Sequence, residues 1–280
     1  MINDKISIIT VVYNDVKNIE KSIRNTLAQT YTPLELIVID GGSTDGTVDI
    51  IKKYEGIIKW ISEPDRGIYD AMKKGIKLAS GKWLLFHNCG DFFISPTSIS
   101  DLLFNYQDKG ETFIVANIRC FNNFGYKDEK PNILSRTILD AMPVYHPATF
   151  IRTSWQKDNE YDISYKNSAD YDFFIKSFKK HATYCYIDYT LVLFDCRDGA
   201  TASHYDRTLM DNIIILSKYK ASDIRIKTLK KELSHFYTVK WLCKYIPFMS
   251  KLRDFRKRKL YKHNGWIKKT LNEILDSLEI

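Results

Sequence analysis

The chain has little glycine and proline, 12 and 7 residues in 280, which excludes a collagen-like chain and a long flexible linker. No run approaches the roughly 18 consecutive apolar residues of a transmembrane helix, so a membrane span is not expected. A G-x-G-x-x-G turn after the first strand-like run is absent, as is G-x-x-x-x-G-K-[ST] anywhere, which weakens dinucleotide-redox and P-loop readings. Cys89, Cys120, Cys185, Cys196 and Cys243 form no C-x-x-C pair, so neither a zinc knuckle nor a disulfide framework is indicated and a reducing compartment is expected. The opening Met1-Ile2-Asn3-Asp4-Lys5 lacks the pattern of a secretory signal.

What is present is an ordinary globular composition, 44% hydrophobic and 27% charged, with unevenly placed charge. Residues 1–217 carry 25 Lys/Arg against 28 Asp/Glu, whereas residues 218–270 carry 17 against 3. A basic block on a near-neutral body points to an anionic surface as partner. Trp241, Tyr245 and Phe248 interleave with Lys244, Lys251 and Arg253, and the pattern continues to Trp266, Lys268 and Lys269. This suits anionic lipid at residues 241–269, or else a solvated helical face wrapped on the body. No nucleic-acid-binding signature accompanies the charge, and nucleic acid is not an expected partner.

Residues 6–13, 34–39, 57–62 and 82–87 read as strands, separated by helical patterns at 17–30, after Gly46 and at 69–79. Such alternation implies βαβ units and a parallel sheet. Further on, a helix is predicted near 97–108, a strand at 112–119, a polar stretch from Asn122 to Asn132 and a short helix near Ser135. A strand is then expected near 147–152, a helix at 167–180, a strand at 184–194, and helix from about 206 to a break at Pro247. Polar residues gather where the first four strands end: Tyr13-Asn14-Asp15, Asp40 to Asp45, Glu63 to Gly67, and Asn88 to Asp91. In an open parallel sheet that edge forms the ligand crevice.

Thr10-Val11-Val12-Tyr13-Asn14, Asp40-Gly41-Gly42-Ser43-Thr44-Asp45-Gly46-Thr47 and Ser62-Glu63-Pro64-Asp65-Arg66-Gly67-Ile68-Tyr69-Asp70-Ala71-Met72-Lys73-Lys74-Gly75 together resemble family 2 glycosyltransferases. The last run is similar to the subgroup that builds bacterial capsule, O-antigen or colanic-acid-type chains. The resemblance implies an α/β GT-A fold, a mostly parallel central sheet flanked by helices, with a helical C-terminal extension. Residues 1–205 would be catalytic, divided into a nucleotide-binding half (1–95) and an acceptor-binding half (96–205), and residues 206–280 the basic extension. The implied activity is inverting transfer of a hexosyl or N-acetylhexosaminyl group from a nucleoside-diphosphate sugar (UDP, GDP or dTDP) to a glycan or polyprenyl-diphosphate-linked acceptor. The implied place is the inner face of the bacterial cytoplasmic membrane. A catalytically inactive nucleotide-sugar-binding subunit and a nucleotidyltransferase are the alternatives.

By the same resemblance, Val12, Tyr13, Asn14, Asp40, Gly42, Asp65 and Arg66 would line the donor, although Asp65-Arg66-Gly67 also reads as a turn and Arg66 as an exposed charge. Asn88-Cys89-Gly90-Asp91 stands where the family has D-x-D-D, leaving Asp91, with Asn88, for Mg²⁺ or Mn²⁺ on the diphosphate. His146, in Pro143-Val144-Tyr145-His146, is similar to an acceptor-side segment. Asp170 matches the general base, with Asp172 as the second candidate. Gly199, His204 and Arg207 match a loop over the donor diphosphate.

Overall fold

A computed structural model describes residues 4–122, 125–196, 204–245, 266–270 and 273–274. Strands β1 (Ile6–Val12), β2 (Leu34–Asp40), β3 (Lys59–Ser62) and β4 (Trp83–Phe86) lie in the order β3-β2-β1-β4, all parallel. Helices α1 (Ile19–Leu27), α2 (Thr47–Lys52) and α3 (Ile68–Leu78) make the crossovers. After them come β5 (Phe92–Phe93), α4 (Ser98–Leu103), β6 (Phe113–Asn122), β7 (Gly125–Glu129), β8 (Thr149–Arg152) and α5 (Thr153–Asp158). The chain continues through α6 (Ala169–Lys179), β9 (Tyr184–Asp195), α7 (Tyr205–Lys218) and α8 (Asp223–Tyr245). β8 sits antiparallel between β4 and β6, β6 runs parallel to β9, and β5 pairs antiparallel with β9. One mixed sheet results, flanked by helices.

β1 explains why its sequence barely alternates. Ile9 and Val11 enter one buried cluster with Met72, Phe86, Phe173 and Phe174, while Ile6, Ile8 and Val12 enter the other with Ile23, Ile99 and Leu102. Both faces are covered, so apolar residues point to both sides, with only Ser7 and Thr10 polar. Each such side chain, fully removed from water, contributes about 1.5–3 kcal/mol.

Three expectations change. The polar stretch from Asn122 to Asn132 contains β7, which forms an antiparallel ladder with β6; backbone pairing, not hydrophobic pattern, makes that strand. The short helix expected near Ser135 is a 3-10 turn over Asn132–Leu134 instead. The helical reading beyond 206 divides into α7 and α8, and Pro247 lies outside the described residues. Near the C-terminus, Tyr126 of β7 and Ile267 exchange both backbone hydrogen bonds, 3.0 and 2.9 Å. A Cβ at Gly125 would collide with the Ile267 carbonyl oxygen, so this approach needs glycine. Ile274 is buried with Phe92, Phe121 and Leu193. Part of the extension therefore returns to the body beside β5.

Candidate active site

The carboxyl ends of β1 and β2 are tied to each other. Asn14, at φ 49°, donates its N–H to Ser43 Oγ (2.7 Å) and accepts from the Thr44 N–H on Oδ1 (2.9 Å). The Asp15 and Val16 N–H groups reach Thr47 Oγ1 and Asp45 Oδ2. Asp40, fully buried, accepts on Oδ2 from the N–H groups of Gly42 (3.0 Å) and Ser43 (2.9 Å) and from Ser62 Oγ (2.7 Å); Oδ1 takes the Ser43 hydroxyl. Its acceptors are spent on shaping the turn and on joining β2 to β3.

Asp65 fills the space that a side chain at Gly41 would take. A Cβ on Gly41 would lie 2.5 Å from Asp65 Oδ2 and 3.3 Å from the Tyr13 ring. Asp65 Oδ1 accepts the Gly67 N–H at 2.8 Å, and Tyr13 is 65% exposed. An open ring beside a half-buried carboxylate can stack a planar base and accept its N–H. Val12 is buried in the core. Arg66 pairs with Asp70 at 3.1 Å and stands 72% exposed.

The turn between β4 and β5 is built differently. Asp91 is buried and its Oδ2 has no hydrogen-bond partner; Asn88 Oδ1 is likewise buried and unpartnered. Burial pushes the Asp91 carboxyl well above its ordinary range, with the Asp195 charge adding to the shift. His87, fully buried and stacked on Phe93 at 4.2 Å, has no partner at either ring nitrogen, and burial lowers it to about 3. Buried acceptors without donors are costly unless a ligand completes them. The available donors, a carboxylate and an amide oxygen, suit a hard cation such as Mg²⁺ or Mn²⁺ whose other ligands come from a diphosphate. No group of three or more His, Cys, Asp or Glu side chains able to hold a metal occurs among the described residues.

Across the sheet, α6 opens with Asp170, 22% exposed in its side chain. Its Oδ1 accepts from the Tyr69 hydroxyl (2.7 Å) and the Tyr171 N–H (2.9 Å). Its Oδ2 lies 4.0 Å from His146 Nδ1. His146 is buried, hydrogen-bonded through Nε2 to the Tyr161 hydroxyl (2.8 Å), and 4.7 Å in ring centroid from Phe86 of β4. Burial lowers the His146 pKa, against the pull of Asp170. One oxygen of Asp170 is thus fixed while the other is left to accept. Tyr69 stands two residues after Gly67, so the Asp65 loop and Asp170 are joined through α3.

Asp172 is a correction. Two residues along a helix is about 200° around it, and Asp172 points to α7, where Lys218 binds it at 2.8 Å. His204 and Arg207, at the start of α7, are exposed. The Asn167 amide donates to the His204 carbonyl at 3.2 Å, which brings that residue beside the start of α6. Gly199 lies outside the described residues. Sequence reasoning missed Tyr69, since a tyrosine at helical spacing looks like core, and Tyr161, which lies in the connection between α5 and α6 with no motif around it. The only available signal for Tyr69 was its place directly after the Asp65-Arg66-Gly67 turn.

A family model described as Glycosyl transferase family 2 matches residues 7–178. An uncharacterized glycosyltransferase of Mycobacterium tuberculosis is 32% identical over 178 residues, 61% of this chain and 68% of its own. A PGL/p-HBAD biosynthesis glycosyltransferase of Mycobacterium bovis is 28% identical over 182 residues, 63% of this chain and 70% of its own. Residues 1–349 of Staphylococcus aureus TarS, in complex with UDP-GlcNAc, superpose with a TM-score of 0.61 at 19% identity, covering 83% of this chain and 71% of that one. The mannosyltransferase PcManGT from Pyrobaculum calidifontis, in complex with GDP-Man and Mn²⁺, gives 0.63 at 13% identity, with coverages of 94% and 82%. At these identities the structural likeness shows the fold.

Proposed function

The chain belongs to glycosyl transferase family 2, a nucleotide-sugar-dependent transferase, and from that premise we propose inverting transfer of a hexosyl or N-acetylhexosaminyl group to a hydroxyl of a glycan or lipid-linked glycan in surface polysaccharide synthesis. The observation that carries the reading is the divided Asp170 carboxylate, with Oδ1 held by Tyr69 and Oδ2 open beside His146.

In this reading residues 1–95 bind the donor, residues 96–205 the acceptor, and residues 206–280 form an extension. Tyr13 and Asp65 take the nucleobase of a UDP, GDP or dTDP sugar. Asp40 and Gly42 hold the loop that presents them, and Val12 and Asn14 support it from β1. Asn88 and Asp91 hold the diphosphate side with Mg²⁺ or Mn²⁺, which when bound neutralises charge on the leaving group. Asp170 Oδ2 accepts the proton of the acceptor hydroxyl as the oxygen enters opposite the diphosphate, so the anomeric configuration inverts. His146, its pKa lowered by burial, orients that carboxylate, and the exposed His204 and Arg207 at the start of α7 are the candidates to meet the developing diphosphate charge. The identity of PcManGT's ligands, GDP-Man and Mn²⁺, and of TarS's, UDP-GlcNAc, supports this donor class.

No described helix is long and apolar enough to cross a membrane. On α8, Tyr237, Trp241 and Tyr245 stand exposed at four-residue spacing, with Lys240 and Lys244 adjoining. Aromatic rings among lysines suit anionic lipid, which supports a peripheral position on the inner face of a bacterial cytoplasmic membrane. Most of residues 241–269 lies outside the described residues.

Asp170→Asn tests the base. Turnover should fall about 10²–10⁴-fold with nucleoside-diphosphate binding kept, measured by released diphosphate and by calorimetry. Turnover at the wild-type rate would remove Asp170 from the role.

A further inference from the structure

Four of the arginines in the described residues hold a carboxylate: Arg24 with Glu20, Arg66 with Asp70, Arg119 with Asp128 and Arg152 with Asp108. Arg136 and Arg225 hold none, and they line the same groove. This groove, about 750 Å³, lies between residues 133–140 and the first turn of α8 and is lined also by Ile133, Leu134, Thr137 and Asp140. Arg225 is half-buried, and its Nε is shut from solvent with no partner. The carboxylate in the groove, Asp140, accepts on Oδ2 both the N–H (3.2 Å) and the hydroxyl (2.7 Å) of Thr137, and the charges of Arg225 and Arg136 help to hold it below its usual range, so one negative charge already faces the two arginines without an ion pair.

We propose that this groove binds a phosphoryl group carried by the acceptor, gripped by Arg136 and Arg225. The Nη groups of Arg136 and Arg225 present the donors that match tetrahedral phosphate oxygens, and such charge-assisted bonds are the strong ones. The volume suits a small-molecule moiety. Leu134, 43% exposed, and Ile133 offer an apolar wall to carbon attached to the phosphate. Placement ties the groove to the reaction. Tyr171, the residue after Asp170, reaches with its hydroxyl to the Ile138 carbonyl at 3.3 Å, so the back of the groove rests on the helix that carries the base. The donor diphosphate is assigned in the transferase reading to other residues, Asn88 and Asp91. A second anion site on the acceptor side fits an acceptor that is itself a phosphate ester or diphosphate. This inference rests on the transferase reading.

Phenyl phosphate is the probe, titrated calorimetrically into the full chain with UDP or GDP and Mn²⁺ already saturating. The expected result is binding to the wild type, weakened at least about tenfold in Arg225→Gln and more in Arg136→Gln/Arg225→Gln. Arg225→Lys, which keeps charge without the fork, should fall between. Equal phenyl phosphate affinity in the wild type and the folded double variant would overturn the groove as a phosphoryl site, and so would glucuronate binding as tightly as phenyl phosphate. Thermal midpoints of the variants establish that they are folded. Failure of the wild type to bind either nucleotide would instead strike the transferase reading. Co-sedimentation with phosphatidylcholine vesicles, with and without phosphatidylglycerol, separates the sources. Loss of phosphatidylglycerol-dependent sedimentation in the double variant assigns the phosphoryl group to a lipid, and retention assigns it to a soluble ester; both support the groove.

Discussion

The turns after β2 and β4 each bury a carboxylate, and they treat it in opposite ways. Asp40 receives donors on both oxygens from Gly42, Ser43 and Ser62, whereas Asp91 keeps an oxygen with no donor and stands near an equally unpartnered Asn88 oxygen. Similar burial therefore has different consequences. A satisfied carboxylate fixes the path of the chain, and an unsatisfied one lowers stability until something arrives to complete it. The first turn is completed by its own donors; the second leaves buried acceptors that no described residue completes.

The sharpest way to break that comparison is to remove each carboxylate. Asp40→Ala leaves two backbone N–H groups and the hydroxyls of Ser43 and Ser62 without their acceptor, and we expect a loss of roughly 3–5 kcal/mol, read by urea denaturation. A loss under about 1 kcal/mol would mean that the turn holds itself without Asp40.

Acid titration gives a smaller effect with a definite sign. His87 is lowered from 6.5 to about 3 by burial, so over that window the unfolded chain binds a proton that the folded chain refuses. Its share of stability is intact above about pH 6.5, declines as pH falls toward 3, and then levels. His87→Phe, which preserves an aromatic ring against Phe93, should flatten this decline in thermal midpoint against pH. An unchanged slope would show that His87 finds a proton acceptor in the fold.

Asp91→Asn should have the smallest effect on stability. The Asp91 carboxyl is raised, so its protonated form is favoured in the fold, and the stability tied to that proton is lost as pH rises through the raised value. A neutral amide avoids that loss, and the variant should match or exceed wild-type stability at neutral pH. A destabilisation as large as that of Asp40→Ala would erase the contrast between the turns.

The contrast was half legible in the sequence. Strands β1 to β4 and the acidic turns that end them follow from β-branched runs broken by Gly, Asp and Asn, and the family resemblance singled out Asp65, Asp91 and Asp170 as candidates. Which carboxylates would be satisfied could not be read, because the donors to Asp40 include Ser62, 22 residues away. Tyr69 was hidden for a related reason, as its partner lies 101 residues on. Asp172 is a different matter: helical geometry alone places it away from Asp170, and the Lys218 contact only completes what the spacing already implied. β7 was illegible because its residues, Gly-Tyr-Lys-Asp-Glu, carry no strand pattern and owe their form to pairing with β6 and approach by Ile267.

The decisive measurement is calorimetric titration of UDP and GDP into the wild type and Asp91→Asn, each with Mn²⁺ and with EDTA. We expect at least one nucleotide to bind the wild type more tightly by about tenfold or more with Mn²⁺, and the variant to bind it equally weakly in both conditions. Identical affinities for the wild type with and without the cation, or a variant that keeps the full response to Mn²⁺, would contradict the assignment of the β4–β5 turn as the diphosphate site.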